Sequence, residues 1–191
     1  MMTNYKNYMN MKKILFVVGS TRRQSFNRQV ADYVCELLKG RAEVSCLDYA
    51  DVPFFNQDIE SPAPEPITRV REAVKAADAL WVFTPEYNYS YPGIVKNLFD
   101  WLSRPLMSGD YETPTVIRGK HVALTGIGGA GKTSECREKL GELLTFIGVE
   151  VAEPSLGLRV DMEAWTTNRL TLDEEQKTQL AEQVDSFLDL L

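Results

Sequence analysis

Three short stretches of this chain carry residue types that can do chemistry. The first, Gly19-Ser20-Thr21-Arg22-Arg23-Gln24-Ser25-Phe26-Asn27-Arg28, sets hydroxyls at Ser20, Thr21 and Ser25, an amide at Asn27 and guanidinium groups at Arg22 and Arg23 ahead of a helical pattern. Unpaired N–H groups and the dipole at a helix start favour an anion, and arginine adds a charge-assisted hydrogen bond. This is the chemistry of a phosphate site. A plain capped helix with solvated arginines would use the same residues.

The second stretch, Pro85-Glu86-Tyr87-Asn88-Tyr89-Ser90-Tyr91-Pro92-Gly93, follows the most apolar run of the chain. Tyr87, Tyr89 and Tyr91 alternate and suit the wall of a pocket for a flat ring, with turn amides facing the ring's polar edge. The same tyrosines would also serve simply to cover a sheet end. The third stretch, Gly126-Ile127-Gly128-Gly129-Ala130-Gly131-Lys132-Thr133, fits the P-loop pattern G-x-x-x-x-G-K-[ST]. In that reading loop amides cradle a β-phosphate, Lys132 reaches the outer phosphates and Thr133 holds Mg²⁺.

The elements around these stretches alternate short β-branched or apolar runs with longer segments of helical period, as a parallel sheet with crossover helices requires. The strands expected are Lys13 to Val18, Val44 to Leu47, Ala79 to Thr84, His121 to Thr125 and Val149 to Ala152. Ala79-Leu-Trp-Val-Phe is unbroken, which predicts burial on both faces of a central strand. Five helices are expected between and after them. Their apolar faces are Val30/Val34/Leu37/Leu38, Val70/Ala73/Val74/Ala77, Ile94/Val95/Leu98/Phe99/Leu102, Leu140/Leu143/Leu144/Ile147 and Leu180/Val184/Phe187/Leu188/Leu191. Gly40 and Gly148 stop the first and fourth, Pro92 sits in the first turn of the third, and Thr171 with Glu174 forms a capping box for the last. Right-handed crossovers then give an α/β fold: a three-layer, doubly wound, five-stranded parallel sheet of flavodoxin-like order 2-1-3-4-5. Ligands of such sheets bind beyond the carboxyl ends of the strands, where all three stretches lie.

Composition narrows the function classes. A length of 191 residues, 44% hydrophobic and 25% charged, fits one globular core. Residues 1–11 are polar and aperiodic and read as a disordered leader; residues 12–191 read as a single domain. With 21 Lys+Arg against 27 Asp+Glu the net charge is −6, which disfavours a nucleic-acid partner. No apolar run approaches the roughly 20 residues of a membrane span, and the short run at 14–18 is no secretory signal. Cys35, Cys46 and Cys136 share no close spacing, against a disulfide framework or zinc site and in favour of a reducing, cytoplasmic location. His121 and the acidic run Asp173-Glu174-Glu175 have structural readings, the latter as the first turn of a helix. No metal site is expected.

Together, Gly19-Ser20-x-Arg22-x-x-Ser25-x-Asn27 and Pro85-Glu86-Tyr87-Asn88-Tyr89-Ser90-x-Pro92-Gly93-x-x-Lys96-Asn97-x-x-Asp100-Trp101 closely resemble the NAD(P)H-dependent FMN reductase family, which includes bacterial quinone, chromate and azo-dye reductases. The resemblance runs from Met11 over nearly the whole chain. It implies non-covalent FMN, with Ser20, Arg22, Ser25 and Asn27 on the phosphate and Pro85, Glu86, Tyr87, Asn88 and Tyr89 lining the isoalloxazine. It also implies a glycine turn after the fourth strand, Thr125, Gly126 and Gly128, against the flavin's edge. NADPH or NADH would deliver hydride to N5 of FMN, and a quinone, azo compound, metal ion or free flavin would then accept the electrons. Because the flavin carries this chemistry, no catalytic acid, base or nucleophile is assigned. Family members are homodimers or homotetramers with the flavin near a subunit interface, which in this chain the helix after Pro92 would help build.

Two departures stand out. Position 91, often small and aliphatic in the family, is tyrosine, which narrows the space above the ring; the fourth-strand turn reads Gly-Ala-Gly-Lys where the family has Gly-Gly and then Arg. The P-loop reading stays as an alternative, against which stand its late position and the lack of an acidic strand end downstream; Leu158-Arg-Val-Asp161 is the best candidate. A flavin-binding electron carrier without nicotinamide activity is the other alternative.

Overall fold

The computed structural model describes residues 11–107 and 109–191. The strands are β1 (Lys12–Val18), β2 (Ala42–Cys46), β3 (Ala79–Thr84), β4 (His121–Gly128), β5 (Glu150–Val151) and β6 (Leu156–Arg159). The helices are α1 (Phe26–Leu38), α2 (Glu65–Ala76), α3 (Gly93–Leu102), α4 (Ser134–Phe146), the single turn α5 (Ala164–Thr167) and α6 (Glu174–Asp189), with a 3₁₀ turn at Gln57–Ile59. All pairings are parallel, in the order β2-β1-β3-β4-β5, and β6 adds to β4 beyond β5. The flavodoxin-like order is the one the sequence predicts.

β3 is central and buried on both faces. Period-2 alternation splits its side chains. Trp81 and Phe83 join Phe16 on the face covered by α1 and α6, and Leu80 and Val82 join Leu15 and Val17 on the face covered by α2, α3 and α4. Trp81 stacks on Phe83 with centroids 5.7 Å apart, and Phe16 meets Phe83 edge-on at 4.9 Å. Each ring so buried contributes roughly 2–3 kcal/mol. With α1 leaving β1 on one face and α3 leaving the adjacent β3 on the other, the crevice between the two turns opens at their carboxyl ends.

Several expectations shift. β4 runs on to Gly128 rather than stopping at Thr125, because β6 pairs with Thr125 through Gly128. The β5 expected over Val149 to Ala152 shortens to two residues, and the chain rejoins the sheet after Pro154, which lacks the N–H a ladder needs. β2 begins and ends earlier than Val44 to Leu47, although the Leu47 amide still bonds the Phe16 carbonyl at 2.8 Å. The cap of α6 is Asp173 with Gln176, not Thr171 with Glu174; both pairs have the spacing, and aspartate puts a charge at the dipole's positive end. Pro92 is the residue just before α3 rather than within its first turn. The expected leader, residues 1–11, lies outside the described residues except for Met11.

Candidate functional site

The β1–α1 turn starts under a steric constraint. The Gly19 amide bonds the Phe83 carbonyl at 2.8 Å, and a Cβ there would stand 2.9 Å from Val95 Cγ2 and 3.2 Å from Thr84 Oγ1. Only glycine lets β1 turn this close to β3. Ser25, buried, caps α1 by accepting the Arg28 amide at 3.3 Å, and the free first-turn amides of α1 stand at the turn's edge. Arg22 lies over Phe26 with Cζ 4.6 Å from the ring centre, donating to Asn168 Oδ1 at 3.1 Å and to the Gln24 carbonyl at 2.6 Å. Asn27 turns inward: its Oδ1 accepts the Ile127 amide at 3.3 Å and its Nδ2 points to the Ile127 carbonyl at 3.5 Å, pinning α1 to the end of β4.

After β3 the chain makes a tight hairpin. The amide of Tyr87 bonds the Ser90 carbonyl at 2.9 Å and the Ser90 amide returns to the Tyr87 carbonyl at 3.1 Å. Asn88 and Tyr89 between them have φ of 52° and 59°. Two successive left-handed residues are the geometry of a type I′ turn, which asparagine tolerates and tyrosine resists. The turn leaves Tyr87 and Tyr89 exposed, whereas Tyr91 packs against the core. The Lys139 ammonium holds the Tyr89 carbonyl at 2.6 Å. Glu86 turns away from the hairpin and accepts the Cys136 amide at 3.0 Å. Burial pushes the Cys136 thiol up to about 11, and the thiol donates to the Pro85 carbonyl at 3.4 Å beneath the turn.

The third stretch is not a P-loop. Gly126 and Gly128 belong to β4, where Thr133 packs on them: a Cβ at Gly126 would meet Thr133 Oγ1 at 2.0 Å, and one at Gly128 would meet its Cγ2 at 2.9 Å. Thr133 is buried and donates to the Lys132 carbonyl at 2.7 Å, so its hydroxyl is not presented to a metal. Among the described residues no group of three or more His, Cys, Asp or Glu is placed to hold a metal ion. Thr125 also faces inward, accepting Trp81 Nε1–H at 2.8 Å and donating to Gln183 Oε1 at 2.7 Å.

The three stretches nevertheless converge. A cavity of about 280 Å³ is lined by Ser20, Arg22, Ser25 and Asn27 from the first, Pro85, Glu86 and Tyr87 from the second, and Gly128 from the third. Asn88, Tyr89, Thr125 and Gly126 do not line it. Phe26, Ile127, Gly129 and Trp165 complete the wall and were not singled out from the sequence. Phe26, Ile127 and Gly129 are neighbours of residues that were. Trp165 carried no local signal: it reaches the cavity because Gln29 of α1 bonds the Asn168 carbonyl at 3.1 Å and the Leu170 amide at 2.8 Å, seating the Trp165 ring edge-on to Phe26 at 5.3 Å.

The family described as NADPH-dependent FMN reductase matches residues 12–159. A 2-hydroxy-1,4-benzoquinone reductase from a Burkholderia species is 30% identical over 177 residues, covering 92% of this chain and 93% of that protein. A quinone reductase of Pseudomonas putida is 37% identical over 129 residues, covering 66% and 68%. Among solved structures, the flavoenzyme NAD(P)H:(acceptor) oxidoreductase FerB from Paracoccus denitrificans superposes with a TM-score of 0.82 at 31% identity, covering 94% of this chain and 96% of that one.

Proposed function

The chain belongs to the NADPH-dependent FMN reductase family, and from that membership we propose that its residues 12–191 form one domain that holds FMN in the cavity between the β1–α1 and β3–α3 turns and passes electrons to a quinone. The enzyme is an FMN-dependent oxidoreductase drawing on NAD(P)H. One observation carries the site assignment: residues far apart in sequence, Ser20, Ser25, Pro85, Tyr87 and Gly128, border a single cavity. The fit to a phosphorylated flavin is chemical. A helix start with a buried serine cap and a nearby guanidinium suits a monoester, and a turn rich in main-chain groups suits the ring's amide edge.

Bound FMN supplies two-electron exchange between a reduced nicotinamide and an acceptor. The protein's part is positioning. Ser20, Ser25 and the first-turn amides of α1 would hold the phosphate, with Arg22 at the cavity's edge adding charge. Pro85, Glu86 and Tyr87 would border the ring, Asn88 and Tyr89 shape the turn that carries them, and Gly128 would border the ring's edge. Asn27 acts from behind by fixing Ile127. The exposed tyrosines Tyr87 and Tyr89 flank the approach of a planar acceptor. Quinone is favoured because the Burkholderia and Pseudomonas relatives are quinone reductases by name.

The working unit is a homodimer or homotetramer. Two segments are bound together beside α3, by Trp101 Nε1–H to the Pro53 carbonyl at 2.8 Å and by Arg104 to Glu60 at 2.7 Å, and they project Phe54, Met107 and Tyr111 into solvent. Exposed aromatic and methionine side chains are what an interface core uses. No helix among the described residues is long and apolar enough to cross a membrane. The acidic net charge argues against a nucleic-acid partner, and the free thiols of Cys35, Cys46 and Cys136 suit the cytoplasm.

The test is the absorbance spectrum of the purified chain. Yellow protein that bleaches with reduced nicotinamide and regains colour on adding benzoquinone is expected. Colourless protein that takes up no FMN would sink the reading.

A further inference from the structure

A second cavity, of about 320 Å³, adjoins the first across the β1–α1 turn, with Ser20 and Arg22 bordering both. Its other walls come from the loop after β2 and the start of α3, and its charged groups are Arg22, Arg23, Arg28 and Asp48. Three guanidinium groups thus face one carboxylate, in a chain whose net charge is −6. Three arginines elsewhere meet acids, Arg41 with Asp185, Arg69 with Asp51 and Arg104 with Glu60. Here none of the three is in a salt bridge among the described residues. Arg22 bonds the neutral Asn168 and a carbonyl, and Arg28 donates to the Cys46 thiol at 3.1 Å.

Clustered like charges without a counter-ion raise the local potential and repel one another until an anion arrives. FMN phosphate in the first cavity answers Arg22 and leaves Arg23 and Arg28 unmatched. We propose that Arg23 and Arg28 form a second phosphate subsite, which takes the 2′-phosphate of NADPH and makes this chain discriminate NADPH from NADH. The inference rests on the FMN reductase reading above. The two nucleotides differ only in that phosphate, a doubly ionisable group with three acceptor oxygens, for which arginine is the matching donor. Asp48 opposes the same phosphate, so the two charge types at this cavity give effects of opposite sign.

The experiment is calorimetric titration of the flavin-loaded full chain with 2′,5′-ADP and with 5′-AMP, beside kcat/KM for NADPH and NADH. The expected result is 2′,5′-ADP binding tighter by on the order of a hundredfold, with Arg23→Ala and Arg28→Ala each cutting that advantage about tenfold, one charge-assisted hydrogen bond apiece. Asp48→Asn should widen it severalfold, and the NADPH:NADH ratio of kcat/KM should follow the same order. Equal affinity for the two probes overturns the subsite, and so does an advantage that survives in the double arginine variant. Should the arginine variants lose flavin, Asp48→Asn decides alone, and an unchanged ratio there overturns it. Failure of both nicotinamides to bleach the flavin would instead reject the reductase reading; equal bleaching and equal kcat/KM reject only the subsite.

Discussion

The Glu86 carboxylate accepts the Cys136 amide at 3.0 Å, so a residue of the β3–α3 turn caps α4, the helix that follows β4. Thr133, at the N-cap position of α4, has a left-handed backbone and makes no side-chain cap bond. Glu86 supplies from another element both the missing acceptor and a negative charge at the dipole's positive end. The turn that brings Pro85, Glu86 and Tyr87 to the cavity is thereby tied to the helix that follows β4.

Glu86→Ala should cost about 1–2 kcal/mol, a lowering of Tm by roughly 2–8 °C for a domain of this size. Glu86→Gln keeps an acceptor without the charge and should recover about half. Thermal unfolding of the two variants checks this; equal Tm values for Glu86→Ala and the unaltered chain would refute the cap.

Tyr89 occupies the second left-handed position of its turn, where a non-glycine residue is strained by roughly 1–2 kcal/mol. After allowing for glycine's greater unfolded-state freedom, Tyr89→Gly should stabilise the protein by about 0.5–1 kcal/mol. The same change should lower kcat/KM for benzoquinone, because strain persists where the side chain is used. Denaturant unfolding and steady-state kinetics on one preparation read both effects. A variant that is less stable would show that the turn tolerates tyrosine without strain.

Arg22 and Lys132 separate the flavin reading from the P-loop pattern. Arg22→Ala should raise the FMN dissociation constant by roughly ten- to a hundredfold, the worth of a hydrogen bond to a charged group. Lys132→Ala should leave it within about a factor of two, since Lys132 is exposed and away from the cavity. Fluorescence titration of the apoprotein with FMN measures both. The opposite ranking would overturn the site.

Cys136 links stability to alkaline pH. Burial raises its thiol from 9.0 to about 11, so between those values the folded state holds a proton that the unfolded chain has released. Stability from this group is complete below about pH 9 and is lost as pH climbs toward 11, by about 2–3 kcal/mol. Cys136→Ala should remove that slope. Urea unfolding at pH 8, 9 and 10 gives the comparison, and parallel curves for both proteins would contradict the shift.

How much could be read before folding varies by residue. The all-apolar run at Ala79 to Thr84 identified the central strand because two-sided burial leaves no polar alternation. Gly19, Ser20, Ser25 and the Pro85–Tyr87 stretch were visible because local chemistry, a tight turn, a cap and a hairpin, needs particular residue types close together in the chain. β6 was missed, since its four residues form a strand only by lying beside the end of β4.

Periodicity and contiguous motifs were enough for the strand order, the tight glycine turn after β1 and the kinship with FMN reductases. Tertiary structure alone decided which way side chains face: Thr125 into the core with Trp81 and Gln183, Glu86 onto α4, Asn27 onto Ile127, and Trp165 into the cavity wall. Asn27 and Ile127 are 100 residues apart. A contact of that span depends on two elements arriving at one place, and nothing in the neighbouring sequence of either residue encodes it.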